Sequence, residues 1–135
     1  MQLKNSEVLD IAAALSIITP QPGIFVPAAL KLRRLRKELI KEQETIDEMR
    51  IDLLKLHCTK DEEGTPVMKT VEGQQSYDIP EDALEVFNKE FQQLLEETVE
   101  VNIEPFSASR LDNVQVSVNM LDRLIDIGIL LDDGS

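Results

Sequence analysis

Residues 25–57 read FVPAALKLRRLRKELIKEQETIDEMRIDLLKLH. Within this stretch Phe25, Ala28, Leu32, Leu35, Leu39, Glu42, Ile46, Met49, Leu53 and Leu56 recur at alternating spacings of three and four. On an α-helix that spacing returns each side chain to one narrow stripe, the pattern of a helix built to lie along another helix. Glu42 alone interrupts the apolar series. Pro27 stands where a helix tolerates it, in the first turn, and no glycine or proline follows before His57. Thirty residues at the α-helical rise extend about 45 Å, more than the width of a small domain. The helix therefore projects from its domain or crosses the whole of it.

On the N-terminal side, Asn5 or Ser6 is placed to cap a helix over residues 6–18, with Val8, Leu9, Ala12, Leu15 and Ile18 on its apolar side. Thr19-Pro20-Gln21-Pro22-Gly23 ends it. On the C-terminal side, Lys60-Asp61-Glu62-Glu63-Gly64-Thr65-Pro66 reads as an exposed turn. Val67–Val71 and Gln75–Ile79 flank Glu72-Gly73-Gln74 as a short hairpin. Asp78 precedes Glu81 by three residues, a capping-box spacing for a third helix over 81–97, whose apolar stripe is Leu84, Phe87, Phe91, Leu94 and Leu95. Val99, Val101 and Ile103 alternate with polar residues up to Pro105, the period of a half-buried strand. Val114 and Val116 suggest a second strand. Ser117 is placed to cap a last helix carrying Leu121, Leu124 and Ile125 and ending at Gly128. The tail Asp132-Asp133-Gly134-Ser135 reads as frayed. These elements predict one domain over residues 1–135. Its class is a helix-dominated α+β fold: a long helix, a shorter antiparallel helix forming a helical hairpin with it, and a small β element.

With 135 residues and 42% hydrophobic composition the chain can bury a core, and without Trp that core is mainly aliphatic. The formal net charge is −12. Residues 1–60 carry ten Lys/Arg against eight Asp/Glu, and residues 61–135 carry four against eighteen. Such a balance opposes binding to phosphate backbones and favours basic surfaces, so no direct nucleic-acid contact is expected. The run from Lys31 to Lys41 lacks interleaved aromatics and does not change that. Residues 8–18 are the nearest approach to a signal sequence, but Glu7 and Asp10 and the lack of a basic lead argue against one. No segment has the length of a membrane span.

Chemistry-bearing motifs are few. Cys58 is the single cysteine, so no intrachain disulfide forms, in keeping with a cytoplasmic setting. His57 beside it invites a nucleophilic dyad, but helix neighbours point about 100° apart, and a histidine at a helix end is favoured by the dipole. Two such ligands fall short of a zinc site. Asp61 to Glu72 has acids at relative positions one, three and twelve. Gly64 sits at four and Pro66 where a calcium loop needs glycine, so that reading fails. Glu44, Asp47 and Glu48 share a face, as do Glu81 and Glu85; such helical acids read as solvated surface. No catalytic, cofactor-binding or metal-binding residues are read from this chain, and a non-enzymatic protein is expected.

The candidate site is instead the proximal seam: Phe25, Leu32, Leu35, Leu39 and the polar Glu42, a seam position where a polar residue fixes register or partner number. Its partner is the first helix, the last helix, or a second copy of the chain.

End to end, Leu3-Lys4-Asn5-Ser6-Glu7-Val8-Leu9, the charged helix from Leu30, Asp61-Glu62-Glu63-Gly64, Phe87-Asn88-Lys89-Glu90-Phe91, Leu94-Leu95 and Glu100-Val101-Asn102-Ile103-Glu104-Pro105 resemble, in order and spacing, a family of small tailed-bacteriophage proteins. The resemblance does not extend over residues 20–26 or Gly73-Gln74-Gln75. It implies a phage-encoded protein without assigned catalysis, present in the host cytoplasm or the virion, and it carries over no site residues. The expected function is protein interaction or structure in phage particle assembly, through an apolar helix seam and an acidic surface, with a virion or host protein as partner. The alternative is a small acidic regulator or inhibitor of a host nucleic-acid enzyme.

Overall fold

The computed structural model describes residues 1–132. In chain order the elements are β1 (Gln2–Lys4), α1 (Asn5–Ile18), α2 (Val26–His57), β2 (Met68–Val71), β3 (Gln74–Tyr77), α3 (Glu81–Glu96), β4 (Thr98–Glu100), β5 (Phe106–Ser107), a 3-10 turn over Ala108–Leu111, α4 (Val118–Ile127) and β6 (Leu130–Leu131). The fold is helix-dominated α+β, and among the described residues its strands form three two-stranded pairs. The chain forms two compact units: Met1–Glu44 with residues 98–135, and Thr45–Glu97. The expected fraying of the tail, beyond Asp132, lies outside the described residues.

The first unit is held by burial of aliphatic side chains. Val8, Ile11, Ala14, Leu15 and Ile18 of α1 are buried, as are Ala28, Leu32, Leu35 and Leu39 of α2. Ala12, Leu15 and Ser16 share one cleft wall with Arg36, Leu39 and Ile40, so α1 lies against the proximal part of α2. The helix α1 begins at Asn5, one residue before the expected start, and neither Asn5 nor Ser6 is the residue preceding it. Its opening is marked instead by the Lys4 backbone N–H, which donates to Glu7 Oε1 at 2.8 Å. A carboxylate in the first turn also meets the positive end of the helix dipole.

The strand expected through Ile103 stops at Glu100. β4 pairs antiparallel with β1, Leu3 opposite Val99, and Val101 N–H reaches Met1 O as the last contact of the ladder. The alternation runs on to Ile103, but β1 offers only three residues to pair with. No strand forms at Val114 and Val116. There the Gln21 side chain takes the backbone groups a strand would have used: Gln115 N–H donates to Gln21 Oε1 at 2.8 Å, and Gln21 Nε2 donates to Gln115 O at 2.8 Å. The last helix matches expectation. Ser117 Oγ accepts from Met120 N–H at 3.2 Å. Gly128 closes α4 at φ 98°, with its N–H bonded to Leu124 O and Ile125 O and the Ile129 N–H returning to Leu124 O. That left-handed cap delivers Ile129 and Leu130 into the core, where β6 pairs in parallel with β5.

In the second unit the distal part of α2 and α3 run antiparallel as a helical hairpin. His57, the last residue of α2, meets Glu90 in mid-α3, while Met49 and Glu97 line the same groove. Phe87 and Leu94 are buried, and the Phe87 and Phe91 rings stack at 5.9 Å. The capping box expected from Asp78 does not form. Pro80 is the residue before α3, and the Asp78 backbone is committed to the hairpin base, donating to Val67 O and accepting from Thr59 N–H. β2 and β3 pair antiparallel around a two-residue turn, Glu72-Gly73, one residue tighter than expected. Both turn residues have positive φ, 52° and 80°. That is the geometry of a type I′ turn, which asparagine tolerates far better than glutamate at the first position. Glu72→Asn should therefore stabilise the hairpin by about 0.5–1 kcal/mol. Slower hydrogen exchange at the β2–β3 amides would show it, and unchanged or faster exchange would contradict the turn assignment.

Candidate functional site

The proximal seam is core, not surface. Leu32, Leu35 and Leu39 are at most 5% exposed, so the docking role expected of them is corrected: their partner lies within the chain. Leu39 faces α1; Leu32 shares a small cleft with Thr19 and Ile24; Leu35 shares one with Asn102 and Ile103. The physical reason is that an unbroken aliphatic stripe gains most by burial, and α1 supplies a matching one. Of the expected site residues only Phe25, 70% exposed, and the half-buried Glu42 retain access to solvent.

What the fold leaves uncovered lies elsewhere. On the outward side of proximal α2, Val26 is 70% and Leu30 48% exposed, and the exposed Arg33 and Lys37 follow them at helical spacing. Positions 26, 30, 33 and 37 form a second stripe, roughly opposite the buried one. None of Arg33, Arg34 or Lys37 joins an ion pair among the described residues. This stripe was visible in the sequence as a repeat of four, three and four that begins apolar and ends cationic. The stronger inner seam masked it.

In the second unit, α2 and α3 enclose a groove of about 300 Å³ lined by Met49, Asp52, Leu53, Leu56, Glu90, Gln93, Leu94 and Glu97. Its floor is apolar: Leu94 is buried, Leu53 half-buried, and Met49 and Leu56 open to solvent at 44% and 62%. Its rim is acidic. Glu90 accepts a hydrogen bond from His57 Nε2 at 3.0 Å, whereas Asp52 and Glu97 carry no ion pair among the described residues. The unit that holds this groove has fourteen Asp/Glu against five Lys/Arg, a net −9.

The residues considered for chemistry are spent structurally. His57 is held by Glu90 while the Cys58 thiol donates to Lys55 O at 3.3 Å, so the two side chains diverge. Asp61 Oδ1 accepts from the Glu63 and Thr65 amides, both at 2.9 Å, which makes the acidic segment a side-chain-closed turn around Gly64. The cleft beside Leu35 mixes Lys31, Arg34 and Lys37 with Glu38 and Glu104, so its charge is not of one sign. Among the described residues no group of three or more His, Cys, Asp or Glu side chains is placed to hold a metal ion. Within the same residues, no helix is long and apolar enough to cross a membrane.

No protein-family model, curated protein or solved structure matches the chain.

The two parts of the seam separate by mutation. Leu35→Asp places an unpaired charge in the core and should cost roughly 4 kcal/mol or more, enough to unfold the first unit. Leu56→Asp on the open groove should change stability by no more than about 0.5 kcal/mol. Urea unfolding of the two variants checks this; equal losses would mean the groove floor is also closed.

Proposed function

We propose that this protein is a non-enzymatic interaction component that docks protein partners through the exposed helix faces of α2 and α3. The observation that carries the reading is the groove lined by Met49, Leu53, Leu56 and Leu94: an apolar floor, partly solvent-exposed, inside an acidic rim. Grooves of this kind accept the apolar face of an amphipathic helix, with the rim charges selecting a basic partner. The buried residues of the described chain are all apolar, which supports recognition at the surface as the work of its polar groups. The proposed setting is assembly of a bacteriophage particle, in the host cytoplasm or the virion, with a virion protein as partner; it draws on the sequence resemblance alone.

A second reading is favoured by the charge of the second unit. Fourteen carboxylates on a small unit can stand in for phosphates, and the protein would then occupy a basic site on a host nucleic-acid enzyme. Salt separates the two. Docking anchored by apolar side chains survives high salt, whereas phosphate mimicry weakens steeply.

Tagged wild-type protein and Leu56→Asp should be used to capture partners from host lysate, infected where the source is viral, with low-salt and high-salt washes. Capsid, neck or tail proteins retained at high salt and lost with Leu56→Asp are the expected result. A nucleic-acid enzyme released by salt and indifferent to Leu56→Asp would establish the second reading. Partners indifferent to both would refute groove docking.

A further inference from the structure

We propose that one partner of the groove is a second copy of this chain: the outward stripe of α2 in one molecule seats in the α2–α3 groove of another. The inference rests on the groove-docking reading above and names its occupant. Three observations on the molecule point the same way.

The first is shape and polarity. Val26 and Leu30 stand four residues apart on one exposed helix face, the spacing by which an amphipathic helix anchors in a groove. The groove offers Met49, Leu53 and Leu56 at the matching spacing along α2, with Leu94 of α3 beside them. Both surfaces expose aliphatic side chains to water, and association would cover them together.

The second is charge. The stripe continues into Arg33, with Arg34 alongside, and then Lys37; none of the three joins an ion pair among the described residues, although Arg34 and Lys37 share a cleft with Glu38 and Glu104. The groove rim holds Asp52 and Glu97, also without an ion pair among the described residues, and Glu90. The stripe carries cations and the groove rim carboxylates, so like molecules meet with opposite signs in this orientation. Such complementarity steers encounter and fixes register.

The third is that the two surfaces are different patches. A contact between them is heterologous, and it satisfies each molecule's exposed groove with its neighbour's exposed stripe. Reciprocal pairing closes a dimer; one-way pairing builds a chain. Both raise the mass with concentration.

Sedimentation velocity of the purified full chain across a concentration series, at low and high salt, tests the proposal. Concentration-dependent association that high salt reduces but does not abolish, as an apolar anchor with charged flanks requires, is the expected result. Two charge-reversed variants make the test specific: Arg33→Glu with Lys37→Glu on the stripe, and Asp52→Lys with Glu97→Lys on the groove. All four positions are surface residues, and circular dichroism of each variant confirms folding. Each variant alone should associate at least about tenfold more weakly than wild type, and an equimolar mixture should recover a mixed complex. A wild type that stays monomeric throughout, or reversed variants that fail to recover association when mixed, would overturn self-pairing. That holds whether or not the stripe binds an acidic protein or an anionic vesicle. Failure here leaves groove docking to be judged separately by the Leu56→Asp capture experiment.

Discussion

Burial of the inner stripe of α2 is the constraint on which the first unit depends. The helix is rich in charged residues, and a polar helix of this kind gains little from intrinsic propensity alone. Ala28, Leu32, Leu35 and Leu39 leave water together, against α1 on one flank and the Asn102–Ile103 segment on another. Each large aliphatic side chain contributes about 1.5–3 kcal/mol when fully buried. That gain fixes the rotation of α2 about its own axis. Once the rotation is fixed, Val26, Leu30, Arg33 and Lys37 must face outward, because they occupy the other side of the same cylinder. The core and the candidate docking surface are thus two consequences of one choice.

Polar groups serve mostly to end elements and to close turns. The Lys4 amide bonded to Glu7, the Gln21 side chain clamped to Gln115, the Ser117 cap and the Gly128 reversal each satisfy backbone donors or acceptors where a helix or ladder stops. In the second unit Asp61 and the backbone of Asp78 do the same work around the β2–β3 hairpin. This leaves chemistry to the exposed faces. The groove with its acidic rim and the stripe with its cations are where side chains remain uncommitted, and it is there that recognition is proposed.

Much of the fold was legible in the sequence. The helices α1 to α4 follow from apolar periodicity and from breakers such as Pro20, Pro22 and Gly128, since those signals are local. Beyond small shifts at the start of α1 and in the β2–β3 turn, what failed was non-local. Val114 and Val116 alternate like a strand, but a glutamine 94 residues away in sequence captured the backbone of Gln115. Val101 and Ile103 lost strand pairing because β1 is short, a fact about the partner and not about their own segment. The candidate site suffered from the same limit. Periodicity identified the seam Phe25 to Leu56 as apolar but could not say which part the rest of the chain would cover. The covered positions proved to be Ala28, Leu32, Leu35, Leu39 and Ile46, while Phe25, Met49 and Leu56 stayed open.

Proximal α2 has a closed inner face and an open outer one. Single cysteines placed in turn at positions 26, 28, 30, 32, 33, 35, 37 and 39, in a Cys58→Ala background, would report this as thiol alkylation rates under native conditions. Rapid labelling is expected at 26, 30, 33 and 37. Labelling slower by about a hundredfold or more is expected at 28, 32, 35 and 39, because their exposure requires opening the unit at a cost of about 3 kcal/mol. Uniform rates along the helix, or slow labelling at the outer positions in dilute protein, would mean that the two faces are not distinct.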